Sequence, residues 1–345
     1  MMAQHEFDDW PGHNAPARRR RPVRAALAAV LVFALLAALA AGGYLFALAR
    51  SFESKAATIS PAFPEEGLRP VTNATGATNI LLLGSDSRGT GGAASAAGLP
   101  HTGRSDTIML VHFPGDGSGA YVASILRDTW VEIPGHGSNK INAAFAYGGV
   151  PLAVLSLEAL LQTRIDHVAA LDMEGFKGLT DALGGVEVDV PVPFAASQLK
   201  GHHFAGGRQA MDGAQALAFV RERKAFADGD YQRVRNQQAF LKALLGELAS
   251  PQTLANPATV WKSVGQISPY LAVDDSLDAA AAGRLGLSML RSRSGDMHFF
   301  TLPTLGTGRS ADGQSVVLPD TAAIAALAGA LADDDVAGFV RDHGL

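Results

Sequence analysis

Apolar residues in this chain come as one very long run followed by many short ones, and that contrast sets the expected architecture. From Ala25 to Ala49 (AALAAVLVFALLAALAAGGYLFALA) there are 25 residues without a charge. As a helix rising about 1.5 Å per residue, such a run exceeds the ~30 Å hydrocarbon core of a bilayer. It predicts one transmembrane helix. Beyond it, Asn79–Leu83 (NILLL), Asp106–Phe113 and Ala120–Leu126 are short apolar runs closed by Gly, Ser or Asp, the pattern of buried strands. His167–Asp172, Val186–Val190 and Met297–Leu302 extend that series. Helical spacing marks Pro151–Leu161, Glu174–Leu183, Ser276–Arg291 and Thr321–Leu331. Strands alternating with helices predict an α/β fold, layered around a central, mostly buried sheet.

These runs divide the chain into a tail (1–24), the span (25–49), a linker (50–77) without apolar period, a folded domain (78–334) and a C-terminal tail (335–345). Arg18, Arg19, Arg20, Arg21 and Arg24 stand directly before the span, and the positive-inside rule places them in the cytoplasm and everything after Arg50 outside. A cleaved signal peptide is the alternative, for which Ala47 and Ala49 are small enough. The chain has no cysteine, which excludes disulfides, thiolate metal sites and a cysteine nucleophile. Its net charge of -5 leaves no basic excess to displace counterions from a duplex, so nucleic acid is not an expected partner.

Against that acidic background the stretch VRERKAFADGDYQRVRNQQ (Val220–Gln238) concentrates Arg221, Arg223, Asp230, Arg233 and Gln237. A solvated charged helix face and an anion site both account for such a cluster. Asp212 and Gln215 suit an N-terminal box for a short helix ending near Val220, with Arg221 and Arg223 on an extended stretch after it. Asp230, Arg233 and Gln237 lie at i, i+3 and i+7, one helical face that continues through Phe240, Leu241, Leu244 and Leu248. That stripe fits either a core-packed helix or the wall of a site for an amphiphile with an anionic head. Three strand ends add charge: Asp86 and Arg88 after NILLL, Arg104 and Asp106 before IMLVHF, and Arg127 after ASIL. Asp86 and Asp106 could meet across adjacent strand ends and hold a hard cation such as magnesium. Arg88, Arg104 and Arg127 around such a cation would suit a pyrophosphate, whose charge is stabilised by electrostatics and positioning.

The segments NILLLGSDSR, RSDTIMLVHF, SILRDTWVEIPG, KINAAFAYGG, LGGVEVDVP and VRERK...GDYQRVRNQQ, in this order, resemble the LytR-CpsA-Psr family of cell-wall enzymes over roughly Thr78–Leu248. The resemblance implies an extracytoplasmic α/β/α domain that transfers a glycopolymer from a polyprenyl diphosphate to peptidoglycan, with the prenyl chain in an apolar tunnel. It implies that Asp86 and Asp106 hold or orient magnesium. It implies that Arg88, Arg104, Arg127, Arg221, Arg223 and Arg233 grip the diphosphate, with Asp230 and Gln237 orienting arginines or phosphate oxygens, and that catalysis centres on Asp86, Arg104, Asp106 and Arg127. Lys140 and Asn142 fall in the KINAA segment with a structural role left open. One departure is Leu126, where the family usually has proline before the Arg-Asp pair. A polyprenyl phosphate binding protein without turnover and a lipid diphosphate hydrolase are the alternative functions. A transcriptional regulator is disfavoured, because a 24-residue cytoplasmic tail cannot build a folded DNA-binding domain.

Overall fold

The computed structural model describes residues 21–85, 105–291 and 297–345, and the chain divides into two units, Met1–Ala47 and Leu48–Leu345. Helix α1 (Arg21–Glu53) contains the whole uncharged run. Within it, Phe33–Glu53 is long and apolar enough to cross a membrane, with mean hydropathy 1.7 and 0% of it buried. Unburied apolar side chains around a whole helix suit an anchor in lipid. A second helix, α2 (Ala143–Leu161), has similar length and hydropathy, but 50% of it is buried. It is a core helix of the second unit.

That unit is built on strands β1 (Ala57–Ile59), β2 (Thr78–Ser85), β3 (Ser105–Phe113), β4 (Ala120–Ile125), β5 (Trp130–Ile133), β6 (Gly137–Lys140), β7 (His167–Asp172), β8 (Val186–Val190), β9 (Phe194–Ala195), β10 (His203–Phe204), β11 (Gly207–Met211), β12 (Leu271–Asp274), β13 (Met297–Thr301), β14 (Thr304–Arg309) and β15 (Ser315–Pro319). Its remaining helices are α3 (Met173–Ala182), α4 (Gly213–Arg221), α5 (Asp230–Leu248), α6 (Pro251–Leu254), α7 (Pro257–Ile267), α8 (Ala279–Arg291), α9 (Thr321–Ala332) and α10 (Val336–His343). Seven strands form the central sheet in the order β1-β12-β7-β2-β3-β4-β13. The β2/β7 and β4/β13 pairs are parallel, while β3 runs antiparallel between β2 and β4. Strands β2, β4, β7 and β13 therefore all end on one edge, where β3 and β12 begin. Such an edge is where α/β sheets place ligands, because side chains and free amides converge there.

Both faces of the sheet are covered. Leu81, Leu83, Ile108 and Leu110 join the core under α2, α9 and α10, whereas Ile80, Met109, Val111 and Val122 pack on the opposite face with Leu241 of α5 and Leu285 of α8. Alternate residues of one strand thus enter different apolar layers, which is why these strands read as unbroken apolar runs.

Three segments differ from the pattern reading. The first is the linker 50–77, which contributes β1, a strand that pairs in parallel with β12. Three residues are too few to show a period. Its Arg69, 4% exposed, also docks onto α2 through a 2.8 Å pair with the fully buried Glu158 and lies over the Phe63 ring. The second is Val186–Val190, which belongs not to the main sheet but to a ribbon with β11. The third is the C-terminal tail 335–345, whose helix α10 buries Val336, Phe339 and Val340 in the core. Its apolar positions have helical spacing but span less than two turns.

At the edge of the sheet away from these strand ends, Asp274 is buried and its carboxylate accepts from Val168 N at 2.9 Å, Ser276 N at 2.9 Å and the His167 ring at 3.3 Å. Burial alone would push its pKa up, but the hydrogen bonds from His167, Ser276 and Val168 outweigh it and hold the group at about 2 instead of 3.8. A folded-state pKa below the unfolded value means the stabilisation is present above about pH 4 and is lost as pH falls toward 2. Asp274→Asn is expected to cost about 2 kcal/mol at pH 7. In urea unfolding the gap between parent and variant should close between pH 4 and pH 2; a gap that persists at pH 2 contradicts this assignment.

Candidate functional site

Local sequence builds the site by placing α4 and α5 over the strand ends. Helix α4 starts with the expected capping box: Asp212 accepts from Gln215 N at 2.8 Å, and the Gln215 side chain accepts from Asp212 N at 3.0 Å. The helix runs through Arg221, so that arginine closes the last turn instead of lying on an extended stretch. Its guanidinium is half-buried, and burial lowers its pKa from the usual range. Helix α5 begins at Asp230, a favourable place for a carboxylate because the first turn carries unsatisfied amides. Gln238 fixes this helix to the sheet, donating to Ser124 Oγ and to Phe300 O at 2.9 Å each.

Asp230 is the hub of the cluster. Its Oδ1 lies 2.6 Å from Arg223 Nε, while its Oδ2 lies 3.2 Å from Arg233 Nη2 and 3.4 Å from Arg127 Nε. The Asp230, Arg233 and Arg127 side chains are 13%, 5% and 17% exposed, and Arg223 reaches solvent at 45%. Among the described side chains, Arg127, Arg223, Arg233 and Lys140 outnumber Asp230 and Asp128, an excess of positive charge in a partly desolvated place. Such an arrangement attracts a polyanion with several oxygens. Arg127 continues toward Asp128, whose Oδ1 pairs with Lys140 Nζ at 3.4 Å. Leu126, the departure from the family pattern, is 1% exposed and packs on Val234 of α5 and Val317 of β15. Its side chain thereby sets the approach of Arg127 to the helix that carries Asp230.

Glu222 is a site residue that the pattern reading missed. It is fully buried between Arg221 and Arg223, and its Oε1 accepts from the backbone amides of Arg223 at 3.0 Å, Lys224 at 2.8 Å and Ala225 at 3.2 Å. Its Oε2 accepts from Ser197 N at 2.6 Å. Burial raises its pKa, but these bonds from Ser197, Ala225 and Lys224 outweigh it and keep the carboxyl below its usual range. Glu222 thus pins the loop that presents Arg223.

Directly beside the cluster lies an apolar cavity of about 190 Å³, lined by Leu82, Met109, Leu171, Phe176, Val220 and Leu241 among others. Gln237 also lines it and donates to Val220 O at 3.3 Å. One side of α5 therefore grades from Asp230 and Arg233 through Gln237 to Leu241, the polar-to-apolar stripe read from the sequence. Phe240 and Leu244 on the same helix go instead into a separate core with Phe204 and Phe219.

Of the sequence-derived site residues, Arg127, Arg223, Asp230 and Arg233 come together; Arg221 and Gln237 flank them. Asp86, Arg88 and Arg104 lie outside the described residues. Asp106 lies on β3, and its side chain is likewise outside the description; the neighbouring backbone positions Ser85 and Ser105 pair across β2 and β3. Among the described residues no group of three or more His, Asp or Glu is placed to hold a metal. Asp230 and Asp128 are engaged by cationic side chains and do not fit a divalent ion.

The fold is a layered α/β domain in which an arginine cluster adjoins an apolar cavity. The LytR_cpsA_psr family model matches residues 45–333, and the chain belongs to that family. The probable cell wall biosynthesis protein LcpB of Corynebacterium glutamicum is 38% identical over 226 residues, covering 62% of this chain and 52% of LcpB. The polyisoprenyl-teichoic acid–peptidoglycan teichoic acid transferase TagU of Bacillus mycoides is 38% identical over 187 residues, covering 54% of this chain and 57% of TagU. The chain spans about half the length of the curated relatives it matches. TagT bound to LI-WTA superposes with a TM-score of 0.61 at 27% identity, over 79% of this chain and 98% of TagT. Bacillus subtilis TagV gives a TM-score of 0.63 at 24% identity over 76% of this chain and 98% of TagV, a likeness of fold.

Proposed function

We propose that this protein is a membrane-anchored, extracytoplasmic phosphotransferase that moves a glycopolymer from a polyprenyl diphosphate carrier onto a peptidoglycan sugar hydroxyl. The observation that carries the reading is the continuity of head and tail sites: an arginine cluster held by Asp230 adjoins an apolar cavity through Gln237 and Val220. The diphosphate would lie on Arg127, Arg223 and Arg233, with Arg221 beside them and Arg88 and Arg104 assigned to the same anion. The prenyl chain would enter the cavity. The transferase named among the relatives, TagU, supports the reaction class.

In the proposed reaction the acceptor hydroxyl oxygen attacks the phosphorus that carries the glycopolymer. A new P–O bond forms, the bridging P–O bond breaks, and polyprenyl phosphate leaves. The acceptor proton passes to a carboxylate, Asp86 or Asp106. Charge growing on the leaving phosphate is met by guanidiniums already fixed by Asp230 and Glu222, so little reorganisation is needed. Asp86 and Asp106 would hold magnesium, which when bound supplies further positive charge beside the diphosphate.

The full chain in nanodiscs, given lipid-linked glycopolymer, magnesium and peptidoglycan fragments, is expected to yield the conjugate and free polyprenyl phosphate. Neither product would contradict the proposal; polyprenyl phosphate without conjugate would make the protein a hydrolase.

A further inference from the structure

The donor site leaves unexplained an exposed aromatic pair at the far end of the ribbon that springs from it. Strands β5 and β6 leave the arginine cluster at the Asp128–Lys140 pair and are joined by a tight turn. From Lys140, opposite Trp130, to Gly137, opposite Ile133, the ribbon is about 10 Å long at ~3.3 Å per residue. At the turn the His136 ring stacks on Tyr147, with centroids 4.7 Å apart and planes 13° from parallel. His136 is exposed and Tyr147 is 47% exposed. Neither ring belongs to a hydrophobic core cluster. Asn139 Nδ2 donates to the Tyr147 hydroxyl at 2.8 Å, which fixes the phenol and leaves its own proton to donate outward.

The backbone holds Tyr147 in place at some conformational cost. Helix α2 breaks immediately after it, at Gly148 and Gly149, whose φ/ψ are non-helical. Gly149 has φ 64° and ψ -154°, a conformation open to glycine and strained for other residues. A Cβ on Gly148 would fall 2.6 Å from Leu152 Cβ. The break sets a single turn, Ala143–Tyr147, apart from the rest of α2 and leaves its terminal ring against the ribbon. Two glycines that tolerate no side chain, positioning an exposed ring outside the core, suit a surface built for contact.

We propose that the His136–Tyr147 pair and the adjoining edge of β6 form the acceptor subsite, and that its occupant is a glycan strand of the peptidoglycan type. This rests on the transferase reading above. A sugar ring offers an apolar CH face and a rim of hydroxyl and acetamide groups; the outer face of Tyr147 matches the first, and its hydroxyl, Asn139 and the exposed Ser138 match the second. A rigid aromatic with few rotatable bonds gives such contact at low entropic cost. A protein partner fits less well, because Tyr147 is the only exposed large apolar side chain described on this ribbon and turn. A strand lying along β6 from Tyr147 reaches Lys140, and so brings one sugar hydroxyl to the arginine cluster.

The test uses the full chain in nanodiscs and a lipid-free peptidoglycan glycan tetrasaccharide, with affinity read by calorimetry. Tyr147→Ala should weaken binding about tenfold, and Tyr147→Phe, which keeps the ring, by much less. His136→Ala, at an exposed turn, provides a second variant should Tyr147→Ala not fold. Retention of polyprenyl diphosphate by the same preparations reports separately on the arginine cluster. Donor retained while the tetrasaccharide binds parent and both alanine variants equally, or binds none of them, overturns the acceptor subsite and leaves the transferase reading standing. Tetrasaccharide bound through Tyr147 without donor retention would instead count against the donor site.

Discussion

Replacing Asp230 with alanine should cost about 3 kcal/mol of folding stability and abolish transfer. The guanidiniums of Arg127, Arg223 and Arg233 converge on this one carboxylate. Removing it leaves three like charges in a place where Arg233 is 5% and Arg127 17% exposed. The cost sits at the low end for a broken buried pair because Arg223, at 45% exposure, can swing into solvent. Asp230→Asn separates charge from shape: it keeps the side-chain volume but cannot neutralise, so most of the loss should remain. Added pyrophosphate should raise the stability of the parent more than that of either variant, since without the carboxylate the guanidiniums are no longer held in place for the anion. Urea unfolding with and without pyrophosphate checks this. A change within about 0.5 kcal/mol, the range of an ordinary surface substitution, would mean that Asp230 does not organise the cluster.

Arg127→Ala is expected to reduce transfer by about 100- to 1,000-fold while the lipid donor is still retained. Arg127 reaches the cluster from the sheet, whereas Arg221, Arg223 and Arg233 arrive from α4, α5 and the loop between them, so its loss leaves the helical half of the grip in place. Leu126 holds the adjacent backbone against Val234, and Asn142 N donates to Arg127 O at 3.2 Å, so the alanine variant should fold. Arg127→Lys should recover little, because a single ammonium cannot present the planar fork that matches two phosphate oxygens. Single-turnover transfer assays at saturating donor read this directly. Activity within about threefold of the parent would remove Arg127 from the transition state.

Local signals carried much of this site into view. The box of Asp212 and Gln215 fixed where α4 begins, and the spacing of Asp230, Arg233 and Gln237 placed them on one face of α5 with Leu241 beyond. What sequence could not show is partnership across long separations. That Asp230 gathers Arg127 from a distant strand end depends on the sheet order and on Leu126 packing against α5. Glu222 looked like one more charge in a charged run; its burial against the amides of Ser197 and residues 223–225 arises only when the β8–β11 region folds under it. Short segments were equally opaque. Three residues of β1 and the two-turn α10 carry too few apolar positions to register as periodic, yet both complete layers of the domain. Tyr147 lies in the KINAAFAYGG segment but drew no attention there, because an exposed ring has no periodic signature.

The proposed function requires the cluster and the cavity together to hold a polyprenyl diphosphate. Native mass spectrometry of the full chain extracted from membranes in mild detergent tests it most directly. The parent should carry a retained lipid whose mass and fragments give a polyprenyl chain with phosphate or diphosphate, and the lipid should be depleted on Asp230→Ala. A parent protein carrying no such lipid after incubation with polyprenyl diphosphate, or an Asp230→Ala variant retaining it equally, would mean that the cluster and cavity are not the lipid diphosphate site.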